Sequence, residues 1–199
     1  MDSITKVVYI NLAERIDRKT QIQRELLPVF PAAKIQRFNA IRDSRHGGIG
    51  CTMSHIAVLN MARQEKWPSV LIVEDDLVLT NKEEGLPVLE KLLLNPYDVI
   101  CLGGTYISYD PQTYRLNTSQ TATAYIVAQH YYDTLIANFE ESLAGFQHTG
   151  IYSTYALDQW WKRLQPTGLW YIVRPNMATQ RPGYSDIEKH HVDYTSGFR

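Results

Sequence analysis

The chain has 199 residues, of which 44% are hydrophobic and 21% are charged, and its net charge is −1. These values are typical of a globular domain, and the near-neutral charge gives no electrostatic basis for binding nucleic acid or an anionic membrane. No apolar run approaches the roughly 18 residues of a membrane-spanning helix. Residues 1–6 lack the apolar core of a signal peptide, so a cytoplasmic location is expected. The two cysteines, Cys51 and Cys101, have no metal-ligand spacing, and free thiols are favoured over a disulfide.

Strands and helices alternate along the first half of the chain. Strands are predicted over residues 7–12, 34–38, 70–73 and 97–102. The first helix is predicted to follow residues 14–18 and to end at about residue 27. Further helices are predicted from about 52 to 64 or 65, with Thr52 as the N-cap, and from about 86 to 94. This alternation predicts a parallel sheet with right-handed crossovers. The near-continuous apolar runs within residues 7–12, 70–73 and 97–102 are typical of buried strands.

The second half of the chain is less regular. Residues 105–120 are polar and predict a long loop or a hairpin, and residues 121–127 predict a strand that leads into a helix ending near residue 139. Residues 140–154 contain Gly145 and Gly150 and are interpreted as a functional or mobile loop. A short helix over 155–161 and a last strand over 169–173 precede a polar tail.

Three consecutive carboxylates, Glu74, Asp75 and Asp76, follow the apolar strand 70–73 without a gap. Apolar residues resume at Leu77, so these acids do not belong to a solvated charged face. Adjacent negative charges beside a core are unfavourable unless a cation pairs with them, and hard divalent cations take carboxylate oxygens. Since ligands of open α/β sheets bind beyond the carboxyl ends of strands, we predict a metal–nucleotide site here. An acidic turn without function is the alternative.

Three further side chains lie close to these strand ends in the sequence. Arg15 and Arg18 follow the first strand, where arginine would meet a diphosphate. For Arg18 the alternative is a surface helix with a Glu14–Arg18 ion pair. His55 falls in the first turn of the second predicted helix, where a lone histidine is more often structural than catalytic.

Two other classes of protein also place acids at strand ends. Phosphoacceptor receiver domains begin near such a strand, whereas residues 1–69 precede it here, and the later lysines Lys162 and Lys189 do not close an apolar strand. A glycoside hydrolase places two acids on opposite sides of the scissile bond, not three in a row at one strand end. The sequence therefore disfavours both classes.

Several short stretches, each weak alone, occur together in one order. They are Val8-Tyr9-Ile10-Asn11-Leu12 with Arg15 and Arg18, Gly50-Cys51-Thr52-Met53-Ser54-His55, Val73-Glu74-Asp75-Asp76, Ala124-Tyr125-Ile126-Val127, Leu157-Asp158-Gln159 and Ser185-Asp186-Ile187. With these stretches, the chain resembles the family 25 glycosyltransferases, which include lipopolysaccharide-modifying β-galactosyltransferases and collagen galactosyltransferases. The resemblance spans nearly the whole chain.

The resemblance implies an α/β fold: a GT-A-like single domain with a Rossmann-type, mostly parallel sheet flanked by helices. Residues 1–104 would form its nucleotide-binding part and residues 105–199 its acceptor side. It also implies an inverting transfer of a hexose, galactose or glucose, from a UDP-sugar to a hydroxyl of a glycan or glycoprotein acceptor, with Mn²⁺ (or Mg²⁺) as cofactor. A non-catalytic sugar-nucleotide or glycan-binding module is the alternative, and a glycoside hydrolase is a less favoured one.

The resemblance also implies roles for individual residues. By analogy with the Asp-x-Asp motif of the GT-A fold, Asp76 is the expected metal ligand, and His190 or the adjacent His191 is a further candidate ligand. The first motif position is Glu rather than Asp, which leaves the role of Glu74 open. The expected donor-binding residues are Asn11, Leu12, Arg15, Arg18, Ser54, His55, Glu74 and Asp75.

Asp158 is the candidate general base, because it follows the predicted 140–154 loop and an inverting transfer needs a carboxylate opposite the leaving group. Asp186 is the second candidate catalytic acid. Trp160 and Trp161 are expected to bind the acceptor as an aromatic platform. Two alternatives stay open: Asp158 as a favourable charge at a helix N-terminus, and a solvated His190 in the polar tail.

Overall fold

The computed structural model describes residues 3–198. The strands are β1 Lys6–Asn11, β2 Ile35–Asn39, β3 Ser69–Glu74, β4 Leu77–Leu79, β5 Val99–Cys101, β6 Thr105–Tyr109, β7 Leu116–Gln120, β8 Ala124–Ala128, β9 Trp170–Ile172, β10 Ala178–Gln180, β11 Gly183–Tyr184 and β12 His191–Val192. The α-helices are α1 Ile16–Leu26, α2 Gly47–Gln64, α3 Lys82–Leu93, α4 Tyr132–Thr149, α5 Tyr152–Tyr155 and α6 Leu157–Trp160.

The central sheet has six strands in the order β2-β1-β3-β8-β5-β9. β1 pairs in parallel with β2 and β3, and β5 pairs in parallel with β9. β8 lies antiparallel between β3 and β5. The predicted α/β class with a mostly parallel sheet is confirmed.

Both faces of the sheet are covered, which explains the continuous apolar run of β3. Val70 and Ile72 join one core cluster, to which α2 and α4 contribute side chains. Leu71 and Val73 join the opposite cluster, to which α1 and α3 contribute. All four side chains have 0% exposure, as expected for a strand buried on both sides.

α2 begins five residues earlier than predicted, and its N-cap is His46 rather than Thr52. The His46 Nδ1 atom accepts a hydrogen bond from the Gly48 amide at 3.0 Å. Thr52 lies within the helix and donates its hydroxyl to the Gly48 carbonyl at 3.0 Å. Glycine is required at position 50 because a Cβ there would lie 2.3 Å from the Ile41 carbonyl oxygen.

The predicted loop over residues 140–154 is wrong, because α4 continues to Thr149 and α5 follows almost at once. Buried Phe139, Ser142 and Phe146 continue the helical period through this stretch. The two glycines that suggested a loop have other roles. Gly145 lets Tyr155 pack closely against the helix, and Gly150 ends it with a positive φ of 72°.

The remaining segments surround one end of the sheet. β6 and β7 form the predicted hairpin, and β10 pairs with β4, which directly follows the acid cluster. β11 and β12 form a second hairpin within the predicted polar tail. Within residues 3–198, no helix is long and apolar enough to cross a membrane.

Candidate active site

A cavity of about 810 Å³ opens beyond the carboxyl ends of β1 and β3. Its walls come from the acid cluster at the end of β3, the N-terminal part of α2, α5, the start of α6, and the tail segment 185–197. The cavity therefore lies at the sheet edge where ligands of open α/β folds bind.

Asp75 is held on both of its oxygens by groups from the first βα unit. Its Oδ2 accepts a hydrogen bond from Asn11 Nδ2 at 2.8 Å, and its Oδ1 accepts one from Arg18 Nη1 at 2.8 Å. Arg18 also donates to the Tyr184 carbonyl at 2.7 Å, which ties the tail to α1. The alternative Glu14–Arg18 pair is wrong, because Glu14 pairs with Arg42 at the surface.

Asp76 is the least satisfied acid of the cluster. Its Oδ1 is buried and has no hydrogen-bond partner among the described residues, and its Oδ2 lies 3.5 Å from Arg18 Nη1. Burial, followed by the negative charge of Glu74, raises the pKa of Asp76 to about 8. A carboxylate with a free buried oxygen and a disfavoured charge fits a divalent cation.

The remaining residues expected at the first βα junction take different positions. Leu12 lines the cavity. Asn11 is 1% exposed and, besides holding Asp75, accepts a hydrogen bond from Arg37 Nε at 2.9 Å, so it acts by positioning. Arg15 pairs with Asp186 at 2.5 Å and borders a neighbouring cavity of about 270 Å³, on which Arg18 also lies.

Ser54 and His55 are fully buried on the face of α2 that reaches the cavity. The Ser54 hydroxyl donates to the Gly50 carbonyl at 2.7 Å and accepts from the Ile41 amide at 2.8 Å, so it fixes the loop before the helix. His55 Nδ1 lies 2.7 Å from the Tyr125 hydroxyl, and its ring stacks on the Tyr125 ring.

Asp158 lines the same cavity as the acid cluster and lies in the first turn of α6. Its Oδ2 accepts a hydrogen bond from the Thr121 amide at 2.9 Å, so a segment distant in sequence holds it. Burial raises the pKa of Asp158, and the charge of Glu74 acts in the same direction. Asp186 lines the cavity as well. The structure thus brings Asp76, Asp158 and Asp186 to one cavity.

The expected acceptor platform is not formed. Trp161 has 0% exposure and packs edge-on against Tyr125 and Trp170, with its indole N–H donating to the Ser119 carbonyl at 3.2 Å. Trp160 packs against Tyr155 and carries the Arg163 guanidinium over its ring, outside the cavity. Both tryptophans stabilise the fold, because their rings complete packed aromatic clusters.

His190 is not brought to Asp76. Its side chain is exposed, its Nδ1 contacts the Glu188 carbonyl at 2.8 Å, and it lies outside the described cavity lining. His190 lies in the turn between β11 and β12 and is exposed to solvent, in agreement with the alternative of a solvated histidine.

Sequence reasoning missed several cavity residues, among them Gln180, Tyr152 and Cys51. Gln180 Nε2 lies 3.4 Å from Glu74 Oε2, and Tyr152 reaches the cavity from α5. Cys51 lines the cavity one helical turn before His55, and this four-residue spacing on one helix face is the signal that could have found it. Gln180 and Tyr152 reach the cavity through tertiary packing, which no local sequence pattern indicates.

The α/β fold with its mostly parallel sheet is GT-A-like. The structure resembles the crystal structure of a glycosyltransferase involved in glycosylation of the major capsid of PBCV-1, with a TM-score of 0.55, 8% identity, and coverage of 86% of this chain and 82% of the other. It also resembles the mannose-1-phosphate geranyltransferase of Thermus thermophilus, with a TM-score of 0.53, 12% identity, and coverage of 86% and 73%. These similarities concern the fold.

The sequence itself specifies the family. The model of glycosyltransferase family 25 (LPS biosynthesis protein) matches residues 42–149, more than half of the chain. The chain belongs to this family, as its resemblance predicted. No curated protein matches the sequence.

Proposed function

We propose that the protein transfers a hexose, galactose or glucose, from a UDP-sugar to a hydroxyl of a glycan or glycoprotein, with inversion and with Mn²⁺ or Mg²⁺ as cofactor. The observation that supports this best is Asp76, a buried carboxylate with one oxygen lacking a partner among the described residues, beside a cavity of about 810 Å³. That arrangement suits a cation that carries the diphosphate of a sugar nucleotide.

The donor would lie across the acid cluster. Arg18 lines the cavity, and its guanidinium is held in place by Asp75 and the Tyr184 carbonyl. There it would contribute positive charge to the diphosphate. Glu74 faces the same cavity and would accept a hydrogen bond from a ribose or sugar hydroxyl. When bound at Asp76, the cation would neutralise the diphosphate and stabilise the leaving nucleotide.

Asp158 is the proposed general base. It would take the proton of the acceptor hydroxyl as that oxygen attacks the sugar from the face opposite the nucleotide. Its raised pKa makes it a stronger base than an ordinary aspartate once it is ionised. Asp186 suits this role less, because its carboxylate is held at 2.5 Å by Arg15.

Calorimetric titration of UDP, with and without Mn²⁺, tests the metal-dependent donor site. We expect the wild-type protein to bind UDP much more tightly with Mn²⁺, and Asp76→Asn to lose most of that difference. Asp133→Asn is the matched control, because Asp133 is an exposed acid on α4 far from the cavity. Equal UDP affinity with and without metal in the wild-type protein would remove the cation from the proposal.

The donor itself is tested by a transfer assay with a panel of nucleotide sugars. UDP-galactose and UDP-glucose should be consumed in the presence of Mn²⁺, and a GDP-sugar should not. Use of a GDP-sugar in preference would contradict the UDP assignment, while leaving the glycosyltransferase class intact.

A further inference from the structure

Cys51, His55 and Glu74 form a cluster of metal-binding groups on one side of the cavity. Cys51 and His55 are four residues apart on α2 and therefore share a helix face. The end of β3 brings Glu74 to this face. Glu74 Oε1 lies 3.7 Å from Cys51 Sγ and 3.6 Å from His55 Nε2, and the three ligand atoms all lie within 4.8 Å of one another.

The two separations that involve Glu74 match those of a tetrahedral zinc site, and the Cys51 and His55 ligand atoms lie within 4.8 Å of each other. Zinc bonds of about 2.0–2.3 Å at tetrahedral angles place neighbouring ligand atoms about 3.3–3.7 Å apart. Side-chain adjustments that bring all three ligand atoms to such separations would let the cluster hold an ion.

A second observation points to a ligand at the same place. His55 has 0% exposure, and its Nε2 atom has no hydrogen-bond partner among the described residues. A buried polar nitrogen without a partner is unfavourable, and a coordinated cation would satisfy it. The nitrogen faces the Glu74 carboxylate, so it is directed into the cluster.

The other ring nitrogen of His55 is already held. Nδ1 lies 2.7 Å from the hydroxyl of Tyr125, which is fully buried in β8. With Nε2 bound to a metal, Nδ1–H would donate to this hydroxyl oxygen. Such an outer hydrogen bond fixes the ring and its tautomer in many metal sites.

We propose that Cys51, His55 and Glu74 form a zinc-binding site separate from the cation site at Asp76. A thiolate and an imidazole favour Zn²⁺, whereas Mg²⁺ and Mn²⁺ prefer oxygen ligands. On binding, the Cys51 thiol releases its proton to solvent and an Sγ–Zn bond forms, with water in the fourth position and no change of oxidation state. All three residues line the cavity, so the ion enters from there.

Zinc at this site would hinder donor binding, because it engages Glu74. This consequence rests on the proposed function, whereas zinc binding itself does not. The zinc site and the proposed function can be disproved independently, because UDP binding can depend on Asp76 whether or not zinc binds Cys51.

Cobalt serves as a spectroscopic probe of the site in the reduced, metal-free protein. We expect Co²⁺ to give a near-ultraviolet thiolate-to-metal charge-transfer band that Zn²⁺ removes by displacement. Cys51→Ala should abolish the band, and the matched variant Cys101→Ala should keep it, because Cys101 is buried in β5 outside the cavity. Tyr125→Phe should keep the band but weaken cobalt affinity by about tenfold or more.

Alkylation of the wild-type protein gives a readout that needs no variant. Zinc should protect Cys51 from iodoacetamide, as mapped by mass spectrometry, and should leave the low reactivity of Cys101 unchanged. Cobalt binding without a charge-transfer band, a band that persists in Cys51→Ala, or alkylation of Cys51 unaffected by zinc would each overturn the zinc site.

Discussion

Arg18 contacts Asp75 through an Nη1–Oδ1 distance of 2.8 Å, although 57 positions separate the two residues in the sequence. The pair joins the start of α1 to the end of β3. Both side chains are largely buried, with 14% and 11% exposure. The relative position of Arg18 and the acid cluster is therefore set before any ligand binds.

Removing this arginine should destabilise the fold. Arg18→Met leaves Asp75 buried with only Asn11 as a partner, and breaking a buried ion pair in this way costs about 3–5 kcal/mol. The free energy of unfolding in urea measures the loss. Arg63→Met is the control, because its pair with Asp133 is exposed and should contribute less than about 1 kcal/mol. Equal losses in the two variants would contradict the structural role of Arg18.

Replacing the proposed base should separate binding from transfer. Asp158→Asn keeps an oxygen for the Thr121 amide but removes the proton acceptor, so we expect UDP binding within about twofold of wild type and transfer reduced by about 10²–10⁴-fold. Initial rates with saturating donor measure this. If Asp186→Asn abolishes transfer while Asp158→Asn retains it, the base is Asp186 instead.

The metal-free protein should become less stable as pH rises through neutrality. In the unfolded chain, Asp76 has the ordinary pKa of 3.8, whereas burial and the charge of Glu74 raise its folded-state pKa to about 8. Between these values the folded state keeps a proton that the unfolded state has released, so the free energy of unfolding falls with increasing pH. The stabilisation that this proton provides is fully present below about pH 4, falls as pH rises, and is lost once pH rises through about 8.

Urea unfolding between about pH 5 and pH 8, in buffer with a chelator, measures this slope. A single proton contributes at most about 1.4 kcal/mol per pH unit. Asp76→Asn should flatten the slope, and Asp133→Asn should leave it as in the wild-type protein. An unchanged slope in Asp76→Asn would show that the carboxyl group is ionised in the folded state throughout this range.

The two tryptophans should differ in their effect on stability. Trp161→Ala removes a fully buried ring and should cost about 3–5 kcal/mol in the free energy of unfolding. Trp160 is partly exposed, so Trp160→Ala should lower the free energy of unfolding by clearly less than Trp161→Ala does. A larger loss for Trp160→Ala would contradict the assignment of Trp161 to the core.

The sequence predicted the features that depend on local pattern. The apolar run of β3 and the carboxylates that follow it identified both a central strand and the cavity wall, because burial on both faces leaves a continuous apolar signal. The length of α4 was missed because Gly145, which looks like a helix breaker, is required there by the close approach of Tyr155. The positions of Trp161 and His190 depend on contacts between distant segments, which composition and spacing do not encode.

The tail segment 185–197, which forms part of the cavity lining, affects when the cavity is completed during synthesis. Residues 185–197 complete the pocket more than a hundred positions after Asp76. The Arg15–Asp186 pair fastens this segment, and Arg18 holds the adjacent Tyr184 carbonyl. On the ribosome, the sheet strands and the acid cluster would therefore be synthesised before the segment that closes the cavity around a donor. Truncation ahead of residue 185 should therefore yield a folded sheet with an open, inactive pocket.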